Sequence, residues 1–293
     1  MAEIVLENVN FIYNKGTPYE IHALRDVNLT FGGGITGIIG HTGSGKSTLV
    51  RMLNALVRPT SGRVIFDGEE LWEKSERVRA ARFRAGLVMQ YPEYQLFAAT
   101  VYKDIAFGPS NMGLSEDEIK RRVLYGAEFA KVPLDIMERS PFDLSGGQKR
   151  RVALAGVIAM KPEFLVLDEP AAGLDPGSRR FILNGIRDYC KTSGTSAVIV
   201  SHSMEDMALF CDRIIVMADG RVKMDGSCAE VFSRSLDLIG LGLDVPQITH
   251  IASALRERGV DIGLDVYTVG YAVDRICELA DNKAPESKGE TQS

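Results

Sequence analysis

The sequence predicts an α/β fold with a sheet covered by helices on both faces, and three observations carry that prediction. Phe164–Leu167 is a continuous apolar run of strand length, as expected of a parallel strand buried on both sides. Ile35–Ile39 and Ala197–Val200 are further short buried strands, with helical patterns between them. The glycine-rich segment Gly40–Ser47 joins the first of those strands to a helix, a position from which backbone N–H groups can curl around an anion.

In chain order, alternation at Val9, Phe11 and Tyr13 and again at Val27, Leu29 and Phe31 reads as two half-buried antiparallel strands. A helix from Ser47 to Leu56 is broken at Pro59–Gly62. Val64–Phe66 and Leu87–Met89 are short strands, and Arg77, Arg79, Arg82 and Arg84 between them read as a solvated helix face. Residues 91–160 are largely helical. There Ser115 and Glu118 form a capping box, each satisfying a free backbone N–H, ahead of Ile119, Val123, Ala127 and Ala130 at near-helical spacing. Asp175 caps a helix whose first turn holds Pro176. Ile214–Ala218, Asp219-Gly220 and Arg221–Met224 make a hairpin with a type I′ turn. Beyond about residue 234, Pro246 and the amphipathic set Ile248, Ile251, Ala252 and Leu255 predict a small helical extension packed on the main body or on a partner. Residues 281–293 are almost without apolar side chains and read as a disordered tail.

Composition narrows the function classes. With 293 residues, 45% apolar and 25% charged, the chain is neither disordered in bulk nor collagen-like. A net charge of −5 speaks against a protein that binds nucleic acid through its overall charge. Cys190, Cys211, Cys228 and Cys277 are scattered without a CxxC pair and read as reduced thiols. The amino terminus lacks the basic-then-apolar layout of a signal peptide. The longest apolar run, Val152–Met160, falls short of the roughly 20 residues that a bilayer requires. The expectation is a cytoplasmic chain.

Three segments carry chemistry. Gly40-His-Thr-Gly-Ser-Gly-Lys46-Ser47 has the spacing of a P-loop, in which Lys46 neutralises the β- and γ-phosphates and the Ser47 hydroxyl ligates Mg²⁺. Asp168 ends a buried strand, where the ligand crevices of parallel sheets open, and can orient the metal's hydration shell. Glu169 beside it faces attacking water as base or orienter. Leu144-Ser-Gly-Gly-Gln148 opens the third segment. Ser145 and Gln148 form a capping box, yet two glycines occupy the first turn, where each costs about 1 kcal/mol relative to alanine. A serine hydroxyl and bare backbone at a helix start form a second anion receptor. One nucleotide gains nothing from two receptors on separate subdomains unless two copies meet.

In family order, the P-loop, Gln90, LSGGQ at 144–148, Asp168-Glu169, AGLDP at 172–176 and His202 resemble the ATP-binding cassette ATPases over roughly residues 4–230. That resemblance implies a RecA-like nucleotide-binding core with an antiparallel β subdomain over 1–90 and 161–233. It also implies a helical subdomain over 91–160 and a C-terminal extension over 234–280. It assigns ATP to Tyr13, as the aromatic stacked on adenine, and to Gly40, His41, Thr42, Gly43, Ser44, Gly45, Lys46, Ser47 and Thr48. Mg²⁺ falls to Ser47, Gln90 and Asp168, and hydrolysis to Glu169, His202 and Gln90. Ser145, Gly146, Gly147 and Gln148 would grip a γ-phosphate held by the opposite subunit, and Asp175 would link the two sites across the interface.

A finer resemblance is to the ATPases of energy-coupling factor transporters, importers of vitamins and transition-metal ions. It rests on Gly40-His-Thr-Gly-Ser, Gln90-Tyr-Pro-Glu-Tyr-Gln-Leu-Phe97, Phe107-Gly-Pro109 and Leu241-Gly-Leu-Asp-Val-Pro246. His41-Thr42 resembles the second of two paralogous subunits. It implies a peripheral protein on the cytoplasmic face of the membrane, paired with a sister ATPase or a second copy. A transmembrane coupling subunit would dock near Gln90–Phe107, and a membrane-embedded subunit would bind the solute. The alternatives are an ATPase of another importer class, a DNA-repair or translation ATPase, and a small-molecule kinase. The repair and translation classes lack support, since neither a long coiled coil between the motifs nor a second cassette is found. A kinase has no need of LSGGQ.

Overall fold

The computed structural model describes residues 2–263 and 265–281. In chain order it runs β1 (Ile4–Tyr13), β2 (Ile21–Phe31), β3 (Ile35–Ile39), α1 (Lys46–Leu53), β4 (Ser61–Phe66), β5 (Glu69–Glu70), α2 (Ser75–Arg84) and β6 (Ala85–Val88). Then come α3 (Val101–Asn111), α4 (Glu116–Phe129), α5 (Gly146–Ala159), β7 (Phe164–Asp168), α6 (Pro176–Ser193), β8 (Ser196–Val200) and α7 (Met204–Phe210). It continues through β9 (Arg213–Ala218), β10 (Arg221–Ser227), α8 (Cys228–Phe232), α9 (Ser235–Gly240), α10 (Gln247–Glu257) and α11 (Val269–Asp281).

The strands form two sheets. One is antiparallel, in the order β2-β1-β4-β5. The other runs β10-β9-β3-β8-β7-β6, parallel except for the β9–β10 hairpin. The parallel strands read as continuous apolar runs because both faces are buried. Ile35, Leu165, Leu167, Ile199 and Ile214 face a core shared with α3–α7. Ile38, Val166, Val198, Val200 and Ile215 face a second core, shared with the antiparallel sheet and α1. A side-chain period of two sorts alternate residues of one strand to opposite cores.

Several local expectations change in detail. The Ser115–Glu118 capping box forms only in part: the Ser115 hydroxyl accepts the Glu118 N–H, while the Glu118 carboxylate accepts from Arg121 and Arg122 instead of closing back. Two guanidiniums one turn away offer that carboxylate stronger, charge-assisted bonds than a neutral amide does. The α2 arginines are engaged: Arg77 with Glu73, Arg82 with the Ala55 carbonyl, and Arg84 with Asp67 and Glu163. Asp219 and Gly220 both have positive φ, as the type I′ turn requires.

The C-terminal residues build a small core of their own from Ala252, Ile262, Val266 and Ala272. This unit is tied to the main body where the Glu205 carboxylate of α7 accepts the Gln247 N–H at the start of α10. Ile251, grouped in the sequence with the inward face of α10, is exposed. Of the expected disordered tail, Asp281 is the last residue of α11, and 282–293 lie outside the described residues.

Candidate active site

Four neighbouring parallel strands, β3, β8, β7 and β6, deliver the motif residues to one edge of the sheet. Beyond their carboxyl ends stand, in that order, the P-loop with Lys46, His202, Asp168-Glu169, and Gln90. They open on a cavity of about 750 Å³ lined by Tyr13, Thr42, Gly43, Gly45, Lys46, Ser47, Thr48, Gln90, Asp168, Glu169 and His202.

The loop's sequence follows from its crowding. A side chain at Gly40 would collide with the Met217 carbonyl and the Ser44 hydroxyl. Gly45 sits at φ 100 with the Ala23 carbonyl where a Cβ would project, so only glycine fits. The buried Lys46 ammonium donates to the carbonyls of Gly40 at 2.6 Å and His41 at 2.9 Å, bracing the curl. Burial lowers its pKa, against the raising pull of Glu169 and Asp168. Ser44 is wholly buried behind the loop, its hydroxyl unpartnered, and Gly40 and His41 likewise do not line the cavity. The Tyr13 hydroxyl and the Thr48 hydroxyl are 3.1 Å apart, and the Phe11 ring meets the Tyr13 ring edge-on at 4.7 Å, which fixes the aromatic at the cavity mouth.

Glu169 departs from ordinary carboxylate behaviour. Burial and then the neighbouring Asp168 charge push its pKa up to about 7, against the His202 backbone N–H, Lys46 and Arg179. Its backbone is left-handed, at φ 53, a conformation disfavoured outside glycine and found where a site fixes it. Oε1 is buried with no hydrogen-bond partner and lies 3.7 Å from His202 Nε2. Burial likewise raises Asp168, against a Ser47 hydrogen bond and the charges of Arg51, Lys46 and His202. Burial lowers His202, which favours the neutral ring.

The sequence reading missed nine of the twenty residues that line the cavity, among them Ile21, His22, Ala23 and Arg25 from β2 and Arg221 and Lys223 from β10. They arrive because the β9–β10 turn docks on the P-loop, with the Gly220 N–H donating to the Ser44 carbonyl and the Arg25 N–H to the Gly220 carbonyl. The type I′ turn was the available signal; its docking was not.

The other named residues stand apart from this cavity. Ser145 and Gln148 close both halves of a capping box, at 3.3 Å and 3.0 Å. Nothing lies within 4 Å of where a Cβ of Gly146 or Gly147 would sit, so no contact within the chain requires glycine there. Asp175 caps α6 by accepting the Gly177 and Ser178 N–H groups, each at 3.0 Å. None of Ser145–Gln148 or Asp175 lines the cavity.

A family profile described as ABC transporter matches residues 24–172. The energy-coupling factor transporter ATP-binding protein EcfA2 of Caldanaerobacter subterraneus subsp. tengcongensis is 50% identical over 274 residues, covering 93% of this chain and 96% of that protein. The protein of the same name from Clostridium perfringens is 48% identical, covering 95% and 99%. Among solved structures, cbiO1 from Clostridium perfringens, part of the ABC transporter complex cbiONQ, matches with a TM-score of 0.70 at 37% identity, over 85% of this chain and 97% of that one. The ATP-binding cassette MJ0796, a dimer in a post-hydrolysis state bound to ADP and Pi, matches with a TM-score of 0.70 at 28% identity, over 76% and 98%.

Proposed function

The chain belongs to the ABC transporter family, and from that premise we propose that it is the ATP-binding and ATP-hydrolysing subunit of an energy-coupling factor importer. The observation that carries the reading is the division described above: one cavity gathers the P-loop, Asp168, Glu169, His202 and Gln90, while Gly146 and Gly147 open onto empty space.

ATP occupies the cavity with adenine against Tyr13 and its phosphates in the P-loop. Lys46 turns its ammonium from the loop carbonyls to the phosphates. Mg²⁺ fits the donor set, because Ser47, Asp168 and Gln90 all offer oxygen. When bound, it supplies positive charge against the phosphate oxygens. Glu169 Oε1, lacking a partner, takes the proton of the attacking water, and a pKa near 7 suits that exchange. His202 orients the carboxylate and the γ-phosphate from the same side.

Ser145 to Gln148 of one subunit bind the γ-phosphate held by another through charge-assisted hydrogen bonds, and Asp175 meets the opposite site. ATP binds the closed pair better than the open one and so shifts the population, and hydrolysis removes the bridge. The second subunit is a sister ATPase or another copy of this chain. No described helix is long and apolar enough to cross a membrane. By its likeness to energy-coupling factor ATP-binding proteins, the chain works from the cytoplasmic membrane surface, beside a transmembrane coupling subunit that docks near the exposed Tyr91, Tyr94, Phe97 and Phe107. A membrane-embedded subunit chooses the solute, a vitamin or a transition-metal ion.

The test is to purify the tagged chain from membranes, identify the chains that come with it, and reconstitute the assembly in liposomes. ATP-driven uptake that stops with Lys46→Ala supports the reading. An assembly without membrane subunits, or uptake indifferent to Lys46, overturns it.

A further inference from the structure

Arg150 stands two residues after Gln148 in α5, and only 8% of it is exposed. Burying an arginine is costly unless its fork is engaged. One guanidinium nitrogen donates to the Ala172 carbonyl, and the other lies 3.5 Å from the Glu93 carboxylate. Ala172 precedes Gly173-Leu174-Asp175, the turn that leads into α6. Glu93 sits in a 3-10 turn at Pro92–Gln95, just past Gln90. One side chain therefore joins three segments, and two of them carry the named residues that do not line the chain's own cavity. The Ala172 N–H in turn donates to the Glu169 carbonyl, so the joint reaches the end of β7.

We propose that Arg150 is a positioning residue that locks the LSGGQ helix and the Asp175 turn into one rigid face, so that both meet the opposite subunit's nucleotide in a fixed relation. Its geometry suits the task. A planar fork with several donors holds a carbonyl and a carboxylate at once, whereas a lysine offers one ammonium on a flexible stem. The γ-phosphate contacts at Ser145 and the cross-interface contact at Asp175 must form together, and a misplacement of about 1 Å between such groups costs on the order of 10²-fold in rate. Arg150 does not line the cavity, so nucleotide binding within the chain does not depend on it. The inference rests on the two-subunit reading above.

The experiment compares Arg150→Met and Arg150→Lys in the full chain, assembled with its copurifying subunits. With a sister ATPase as partner, hydrolysis is read in a Glu169→Gln background, which leaves turnover at the sister's site, the one that this chain's Ser145 to Gln148 complete; with a second copy as partner, it is read in the otherwise unchanged chain. The expected result for Arg150→Met is a fall in kcat on the order of 10²-fold with ATP affinity of the chain unchanged, and Arg150→Lys lying between it and the wild type. Unchanged kcat in Arg150→Met overturns the proposal, as does a parallel loss of ATP affinity and thermal stability. Hydrogen exchange of the isolated full chain supplies a readout independent of hydrolysis. In Arg150→Met, amides of 171–178 exchange faster while those of 40–48 do not; unchanged exchange at 171–178 overturns the proposal. If the wild-type assembly fails to hydrolyse ATP, the two-subunit reading fails, and the exchange result still decides whether Arg150 holds the turn.

Discussion

Two edges of the same molecule are built on opposite principles. At the carboxyl ends of β3, β8, β7 and β6, charges are buried against one another: Lys46 is held by two carbonyls, burial pushes Asp168 up and Glu169 up to about 7, and burial pushes His202 down. At the starts of α5 and α6, the side chains of Ser145, Gln148 and Asp175 are engaged in local capping, and Gly146 and Gly147 have open space beside them. The first edge is electrostatically poised, while the second is stable and idle within its own chain. Residues that serve the fold are explained by contacts inside the chain. Gly146 and Gly147 are not, and the proposed contact with a second subunit would account for them.

The largest expected effect lies on the poised edge. Glu169→Gln removes the proposed base while keeping the side chain's shape, so hydrolysis is expected to fall about 10²–10⁴-fold with ATP binding intact. Single-turnover assays check this, and full turnover at this subunit's site would dissolve the contrast between the edges.

The next effect is thermodynamic. The folded chain holds Glu169 near pH 7, above the usual 4.5, so the native state binds its proton more tightly than the unfolded one does. Ionising the group costs stability, absent below the unfolded value, growing as pH rises from 4.5 to about 7, and complete above. In nucleotide- and metal-free protein, Glu169→Gln therefore gains stability over the wild type across that window, on the order of 3 kcal/mol by pH 8. Urea denaturation at several pH values measures it, and a gap that does not widen with pH contradicts the raised pKa.

The smallest effect is the sharpest for the idle edge. Gly147 sits in a helix with open space around it, so Gly147→Ala stabilises the isolated chain by about 1 kcal/mol. On the proposed function the same substitution puts a methyl group in the path of the opposite γ-phosphate, and hydrolysis by the assembly is expected to fall. Opposite signs for stability and activity are expected from thermal melts and ATPase assays on one variant, and a stabilised variant with full activity removes the argument for a contact in trans.

Much of this was legible in the sequence because it is local. The P-loop needs glycines at fixed offsets, the buried strands need unbroken apolar runs, and caps such as Ser145 and Asp175 act within three residues. What escaped was tertiary. Arg25 and Lys223 reach the cavity only because the antiparallel sheet and the β9–β10 hairpin pack on the loop. The left-handed Glu169 is imposed by the strand end and has no residue signature. The joint made by Arg150 unites residues 93, 150 and 172, far apart in the chain. Glu118 was assigned to the wrong partner because two arginines one turn away compete for it.

The division between a nucleotide-holding edge and a phosphate-gripping edge is tested most directly by sedimentation of the Glu169→Gln chain, mixed with the ATPase chain that copurifies with it, with and without ATP. A two-ATPase particle that forms only with ATP, and is lost when Gly147→Asp is added while ATP affinity persists, is the predicted result. A particle indifferent to ATP or to Gly147, or brisk hydrolysis by a lone wild-type chain, would contradict it.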